Sequence, residues 1–139
     1  MYQKTAQLSI ETRGKSLIEF TATVGDFVAD SAILEGLLTI FCRHTSASLL
    51  IQENADPDVR TDLKHFFERI APEDGNYVHG TEGPDDMPAH IRSALTQTHL
   101  SIPILDRRLA LGTWQGIYLF EHRAHAHRRT IVLHAIGEG

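Results

Sequence analysis

Two alternating stretches near the start of the chain set the strongest limit on its fold. Residues 4–11 place Ala6, Leu8 and Ile10 on one side and Gln7, Ser9 and Glu11 on the other. After the turn signal Arg13-Gly14-Lys15, residues 16–24 alternate again, with Ile18, Phe20, Ala22 and Val24 sharing a face. Successive strand side chains point to opposite faces, so a period of two means a sheet with one face toward water. Sheets with one wet face are built mostly from antiparallel strands. The spacing predicts an amphipathic hairpin over this region.

The remaining pattern adds helices and further strands. Asp26 is placed to cap a short helix that carries Phe27, Ala29 and Ile33 and ends at Gly36. Leu37–His44 is apolar on both faces and reads as a central strand, followed by a short strand over Ser48–Gln52. Asp56-Pro57 is a strong helix start, and Val59, Leu63, Phe66, Phe67 and Ile70 form a helical stripe behind it. Ala71–Met87 carries Pro72, Gly75, Gly80, Gly83 and Pro84, which makes it a long loop of the kind that serves function. Asp86 then caps a second helix through Thr98, with Pro88 near its start and Ile91, Ala94 and Leu95 inward. Leu100–Leu105, Ile117–Phe120 and Thr130–Ile136 are three more strands. The expectation is one α+β domain over residues 1–139, a mostly antiparallel sheet or sandwich of about seven strands with two or three helices.

Bulk properties exclude several classes. A formal charge of −5 argues against nucleic-acid and membrane-surface roles. No apolar run approaches the roughly 20 residues of a membrane span. Residues 1–20 contain no signal-peptide core, so a cytoplasmic protein is expected. The one cysteine, Cys42, lies in an apolar run and reads as buried and inert. No phosphate-binding glycine loop, dinucleotide fingerprint, nucleophile elbow or His-Glu-x-x-His helix occurs, and no organic cofactor is expected.

Three polar clusters remain, within a chain that has nine histidines. The first is His44-Thr45-Ser46-Ala47-Ser48 followed by Glu53-Asn54-Ala55-Asp56. Its hydroxyls suit an anion, and its acids suit a cation or proton transfer. The plainer reading is a strand connection followed by a helix cap. The second comprises Tyr77, His79, Glu82, Asp85, Asp86 and His90. Asp86 and His90 are four apart, so they share a helix face, and His79 can join them on one divalent ion. The plainer reading is a solvated acidic loop. The third runs from Glu121 to Arg129 and reads as an exposed, charged hairpin tip. His125 and His127 on one side of an extended chain admit zinc or nickel, and Arg128 or Arg129 admits a phosphate.

The only tryptophan lies in the run Gly112-Thr113-Trp114-Gln115, between two apolar segments. Trp114 offers a flat apolar surface with one donor, Gln115 a donor and an acceptor, and Gly112 room for close backbone approach. Taken together, four pieces in this order resemble the YjbQ-type family, described as secondary thiamine-phosphate synthases. They are His44-Thr45-Ser46-Ala47-Ser48-Leu49, Glu53-Asn54-Ala55-Asp56-Pro57 with Asp62-Leu63, the Tyr77/His79/Glu82/Asp86/Ala89-His90 pattern, and Leu109-Ala110-Leu111-Gly112-Thr113-Trp114-Gln115. The resemblance spans about Thr5 to Ile136. Three places depart from the family pattern. The turn Asp106-Arg107-Arg108 stands where the family usually has a glycine, Met87 where it commonly has asparagine, and His122–Arg128 where it often has an Asp-Gly-Pro-Arg-type turn, whose arginine Arg128 would match.

The resemblance implies an α+β homotrimer with a site of histidines and carboxylates near a subunit boundary. It implies a reaction that joins a pyrimidine diphosphate to a thiazole phosphate and releases pyrophosphate. On that basis His44, Glu53, Glu82, Asp86 and His90 are the expected catalytic residues. Thr45, Ser46, Ser48, Asn54, Gly112, Thr113, Trp114, Gln115 and Arg128 are expected to bind the phosphorylated small-molecule substrate. His44, His79 and His90 are the expected ligands of a divalent ion, Mg or Zn. Two other functions use the same residues: a metal-dependent hydrolase of a phosphorylated metabolite, and a non-catalytic small-ligand binding protein. All of these readings need the imidazoles and acids to meet beside the indole.

Overall fold

A computed structural model describes all 139 residues. Its strands and helices follow in the order β1 (Tyr2–Thr12), β2 (Ser16–Glu19), α1 (Thr21–Asp30), β3 (Glu35–Cys42), β4 (Ala47–Glu53), α2 (Pro57–Ile70), α3 (Asp86–Leu95), β5 (His99–Leu105), β6 (Arg108–Leu109), β7 (Gln115–Glu121) and β8 (His127–Glu138). The fold is α+β, and every strand pair is antiparallel. A five-stranded sheet has the order β1-β8-β3-β5-β6, and a three-stranded sheet the order β2-β7-β4. The expected class therefore holds, with β6 as a short strand that the pattern does not announce.

One core fills the space between the sheets. Leu38, Ile40, Ile102, Ile104, Ile131 and Leu133 point inward from the large sheet and Leu49, Ile117 and Leu119 from the small one. Each such side chain contributes about 1.5–3 kcal/mol when fully buried. Helix α1 adds Val24, Phe27 and Val28 to the same core.

The predicted hairpin over residues 4–24 does not form. Strand β1 pairs with β8 over eleven residues, and β2 pairs with β7 in the other sheet. Alternation reports which face a residue takes, not which strand lies beside it. The link between the sheets runs through Gly14, at φ +143°, where a Cβ would stand 3.1 Å from the Ala124 carbonyl oxygen. The helix also starts earlier than Asp26. Val24, Phe27 and Val28 have helical spacing, and Val24 also fits the preceding alternation, so the two periods overlap.

Strand β3 is central in its sheet, between β8 and β5, but only one of its faces is buried; Leu37 and Phe41 on the other are exposed. The strand buried on both faces is β7. Ile117 and Leu119 face the core, while Phe120 packs edge-on against Phe67 of α2, with ring centroids 5.2 Å apart. On α3 the inward face is Pro88, Ala89, Arg92 and Ser93 rather than Ile91, Ala94 and Leu95, and Leu95 is exposed. No helix is long and apolar enough to cross a membrane. Cys42 is buried and unpaired.

Candidate functional site

Helix α3 begins on a charged residue that the fold buries. Asp86 is 1% exposed, and its neighbour Asp85 is buried as well. Both carboxylates are held by Arg123 in the link between β7 and β8. Arg123 Nε donates to Asp85 Oδ2 at 2.9 Å, Nη1 reaches Asp86 Oδ1 at 2.9 Å, and Nη2 donates to the Glu82 carbonyl at 3.0 Å. Ala124 N–H adds a bond to Asp85 Oδ2 at 2.8 Å. Burial works against the Asp85 charge, but the Arg123 and Ala124 donors outweigh it and bring its pKa down to about 2. Burial opposes the Asp86 charge too, and the His79 hydrogen bond with the charges of His90 and Arg123 lowers its pKa despite that.

The other oxygen of Asp86 faces two imidazoles. His79 Nε2 lies 2.6 Å from Oδ2 and His90 Nε2 lies 3.2 Å from it. The two rings are 5.5 Å apart, centroid to centroid. One ligand atom from each of His79, Asp86 and His90 falls within 4.8 Å of the others. The second nitrogen of His90 is fixed by the backbone, since Nδ1 stands 2.8 Å from the Thr45 carbonyl, which can only accept. Nδ1 therefore carries a proton. In the neutral ring, Nε2 then presents a lone pair to a carboxylate oxygen. Two acceptors face each other, and either an imidazolium proton or a cation between them relieves the conflict. A histidine whose far N–H donates to a backbone carbonyl is also how metal ligands are usually oriented. The residues present fit a divalent ion.

Behind this cluster lies a second buried layer. Arg129 Nε donates to Glu121 Oε1 at 2.8 Å, and its Nη2 donates to the Ser46 carbonyl and hydroxyl at 3.2 and 3.1 Å. Glu121 also accepts from Thr12 Oγ1 at 2.6 Å and from the N–H groups of His122 and Arg123 at 3.0 and 3.2 Å. Burial opposes the Glu121 charge, yet Arg129 and Thr12 keep its pKa below the usual range. Glu121 thus fixes the backbone that aims Arg123 at the acids. His122 is buried beside it, with Nε2 2.8 Å from Ser48 Oγ. Burial, then the charges of Arg92 and Arg129, push its pKa down to about 3.

The expected site residues separate into two groups. His44, Thr45, Glu82, Asp86 and His90 gather with His79 around the start of α3. The Thr45 carbonyl orients His90, and the Glu82 side chain adjoins Asp86. His44 is not in the three-residue ligand cluster; its Nε2 accepts from Thr130 N–H at 2.8 Å. The hydroxyls of Ser46 and Ser48 are taken by Arg129 and by His122 with Thr96.

Glu53, Asn54 and the Gly112–Gln115 run lie at the opposite end of the small sheet, where Glu53 pairs with Gln115. The length of β4, about 20 Å at strand rise, separates the two groups within one chain. Glu53 accepts from Asp56 N–H at 2.9 Å and Asn54 N–H donates to the Trp114 carbonyl at 3.0 Å. Gly112 N–H donates to Gln115 Oε1 at 2.7 Å, Thr113 is exposed, and the Trp114 ring is 61% exposed. Arg128 is also apart, paired with Glu11 on the surface at 2.9 Å.

The site arginine that sequence reasoning missed is Arg123. The Glu121–Arg129 run is not a hairpin tip: it crosses from one sheet to the other, with residues 124–126 and Arg128 exposed, Arg123 and His127 partly buried, and Glu121, His122 and Arg129 buried. The available signal was position, since Arg123 lies two residues past the end of a strand buried on both faces.

A family model described as UPF0047 protein YjbQ-like matches residues 6–138. The chain belongs to this family. A UPF0047 protein of Synechocystis is 58% identical over 132 residues, 94% of this chain and 90% of that one. The UPF0047 protein YjbQ of Escherichia coli O157:H7 is 46% identical, and the match covers 99% of each chain. Among solved structures, a protein of the YjbQ/UPF0047 family from Clostridium acetobutylicum superposes with a TM-score of 0.88 at 35% identity, over 94% of this chain and 99% of that one. A YbjQ-like protein of unknown function from Sulfolobus solfataricus has a TM-score of 0.87 at 21% identity, over 99% of this chain and all of that one, a likeness of fold. The family's fold is thus shared across distant sequences.

Proposed function

We propose that this chain is an enzyme acting on a phosphorylated small molecule at a divalent metal ion held by His79, Asp86 and His90. The observation that carries the reading is His90, whose Nδ1–H is fixed on the Thr45 carbonyl while Nε2 faces Asp86 Oδ2. Two imidazoles and one carboxylate suit zinc, iron or manganese better than magnesium, which prefers an all-oxygen shell. When bound, such an ion supplies Lewis acidity toward a phosphate or pyrophosphate oxygen. The chain's own residues do the rest. Arg123 occupies Asp86 Oδ1, so that Oδ2 alone is offered to the ion. Thr45 fixes the tautomer of His90. The partly exposed His79 opens onto a groove of about 650 Å³ lined by Tyr77, Val78 and Met87, large enough for a ring-containing phosphate.

Within that class, the resemblance favours joining a pyrimidine diphosphate to a thiazole phosphate. There the pyrophosphate leaves with the bond electrons, and the thiazole nitrogen forms the new C–N bond. The demand is for charge stabilisation on the leaving group, which a divalent ion held by the cluster would supply. The indole that would carry the rings lies at the far end of the subunit. The synthase reading therefore needs the homotrimer, with the Trp114 end of one subunit set beside His90 of the next. The separation of Trp114 from the cluster favours a second reading, hydrolysis of a phosphate ester at the ion with water as acceptor. Both fit a cytoplasmic protein with a reduced, buried cysteine.

The test is metal content of tag-free protein, followed by turnover of the substrate pair and of a simple phosphate ester. Pyrophosphate release that requires the thiazole phosphate supports the synthase, and ester cleavage without it supports the hydrolase. His79→Ala or His90→Ala is expected to lower the rate by about 100-fold or more. Variants that retain full turnover at both positions would refute the reading.

A further inference from the structure

His44 lies near the cluster but is bound to β8, the neighbour of β3 in its own sheet, rather than to Asp86. Its Nε2 lies 2.8 Å from the backbone nitrogen of Thr130 in β8, and a backbone N–H can only donate. Nε2 is therefore the acceptor, and the ring proton of the neutral form resides on Nδ1. Burial of the ring, with the charges of Arg129 and Arg43 beside it, disfavours a second proton and lowers the pKa below the ordinary histidine value. The hydrogen bond between ring and protein is the one at Nε2, which leaves Nδ1–H without a strand or helix partner.

His44 lines two neighbouring cavities. One, of about 280 Å³, is lined by His44, Thr45, His90, Ser93, Ala94 and Thr98. The other, of about 430 Å³, shares His44, Thr45 and Thr98 and extends along Phe41, Cys42 and Arg43. The first reaches His90, a member of the candidate metal cluster. The second offers an exposed guanidinium and an exposed aromatic ring. Arg129 is already paired with Glu121, so the free charge is that of the exposed Arg43, and a neutral N–H donor beside it attracts an anionic oxygen and repels a cation.

We infer that His44 is not a metal ligand but a fixed Nδ1–H donor to a phosphate oxygen of the substrate, with Arg43 as the second contact of that phosphate group. The inference rests on the reading of the His79–Asp86–His90 site for the position of the reacting atom, and it names what holds the substrate beside that atom. A neutral imidazole that donates to developing negative charge is an established device for charge stabilisation. It gives up no proton during the reaction, so its effect does not depend on titration of the ring. The substrate class it implies is a phosphate or diphosphate monoester of a small ring compound. The phosphate would sit between Arg43 and His44, and the ring against Phe41.

The test uses the full chain and inorganic phosphate as the probe. Long-range nitrogen–proton spectra at pH 7 are expected to show His44 as the Nδ1–H tautomer, both with and without added zinc. Added phosphate is expected to shift the His44 signals saturably. His44→Ala is expected to weaken phosphate binding at least tenfold, and Arg43→Ala several-fold. His44→Asn, which keeps an N–H near the Nδ1 position, is expected to retain most of it. His79→Ala removes a ligand of the metal reading that lines neither cavity, and it is expected to leave the His44 tautomer and the phosphate response of metal-free protein intact. That variant separates failure of this inference from failure of the metal site. An Nε2–H tautomer, a zinc-induced change that marks His44 as a ligand, or a spectrum indifferent to phosphate would each overturn it.

Discussion

The two ends of the three-stranded sheet carry similarly polar sequence and have opposite fates. At the end where Ala47 pairs with Glu121, charged groups are buried and interlocked: Glu121 with Arg129, Asp85 and Asp86 with Arg123. At the end where Glu53 pairs with Gln115, the polar groups cap their own turns and the indole stands in solvent. The difference comes from what lies beyond each end. The first is closed by β8 of the other sheet and by α3. The second opens outward. A polar motif becomes a site only where a second element covers it, because burial makes each ion pair and tautomer matter.

Four experiments test that contrast, beginning with the largest expected effect. Glu121→Ala leaves Arg129 buried without a counterion and is expected to cost about 3–5 kcal/mol in urea unfolding. Glu53→Ala, which loses one exposed hydrogen bond, is expected to cost about 0.5–1.5 kcal/mol. Equal losses at the two ends would break the comparison. Next, Asp86→Asn or His90→Ala is expected to lower zinc affinity by more than the roughly 10–100-fold typical of an outer-shell partner. Arg123→Ala is expected to fall inside that range and Trp114→Ala to leave affinity unchanged, all by competition titration.

Third, stability should depend on pH through His122. Its folded pKa of about 3 lies below its unfolded value near 6.5, so the unfolded chain binds the proton first. Stability is complete above about pH 6.5 and falls by at most about 1.4 kcal/mol per pH unit as pH drops toward 3. Asp85, depressed to about 2, adds a second loss that begins near its unfolded value and runs down through pH 2. Urea midpoints at pH 7 and pH 5 would show the first effect, and His122→Gln would remove it; a flat profile contradicts the buried, neutral imidazole. Last, Trp114→Ala and Arg128→Ala are expected to change stability by less than about 0.5 kcal/mol. A loss for Trp114 that grows with protein concentration would point to self-association that covers its ring.

Much of the helical and strand content was legible because local physics specifies it. Asp56-Pro57 opens α2, and Asp56 accepts from Asp58 N–H at 2.9 Å, as a capping aspartate should. The last three long strands fall where apolar runs predict them. The hairpin over residues 4–24 failed because a face pattern carries no partner information. The turn at Asp106-Arg107 is also nonlocal in its cause. Both residues take positive φ, +51° and +64°, which glycine adopts more readily, and Arg107 N–H is held by the Leu34 carbonyl at 3.0 Å.

For the candidate site, the sequence by itself determined one real proximity: Asp86 and His90 share a helix face because a turn of helix brings residues four apart together. It also supplied the resemblance that the family match bears out. The sequence also offered His79 as a third member, and the structure brings it to Asp86; only the tertiary structure decided that Arg123 joins them, that His44 turns to Thr130 instead, and that the tryptophan lies elsewhere in the subunit. The physical reason is that these relations depend on a loop folding back onto α3, on the β3–β8 pairing and on the link between the two sheets, none of which a local pattern fixes. Periodicity fixes a residue's face within one element, whereas the neighbour across the sheet is chosen by the packing of the whole chain.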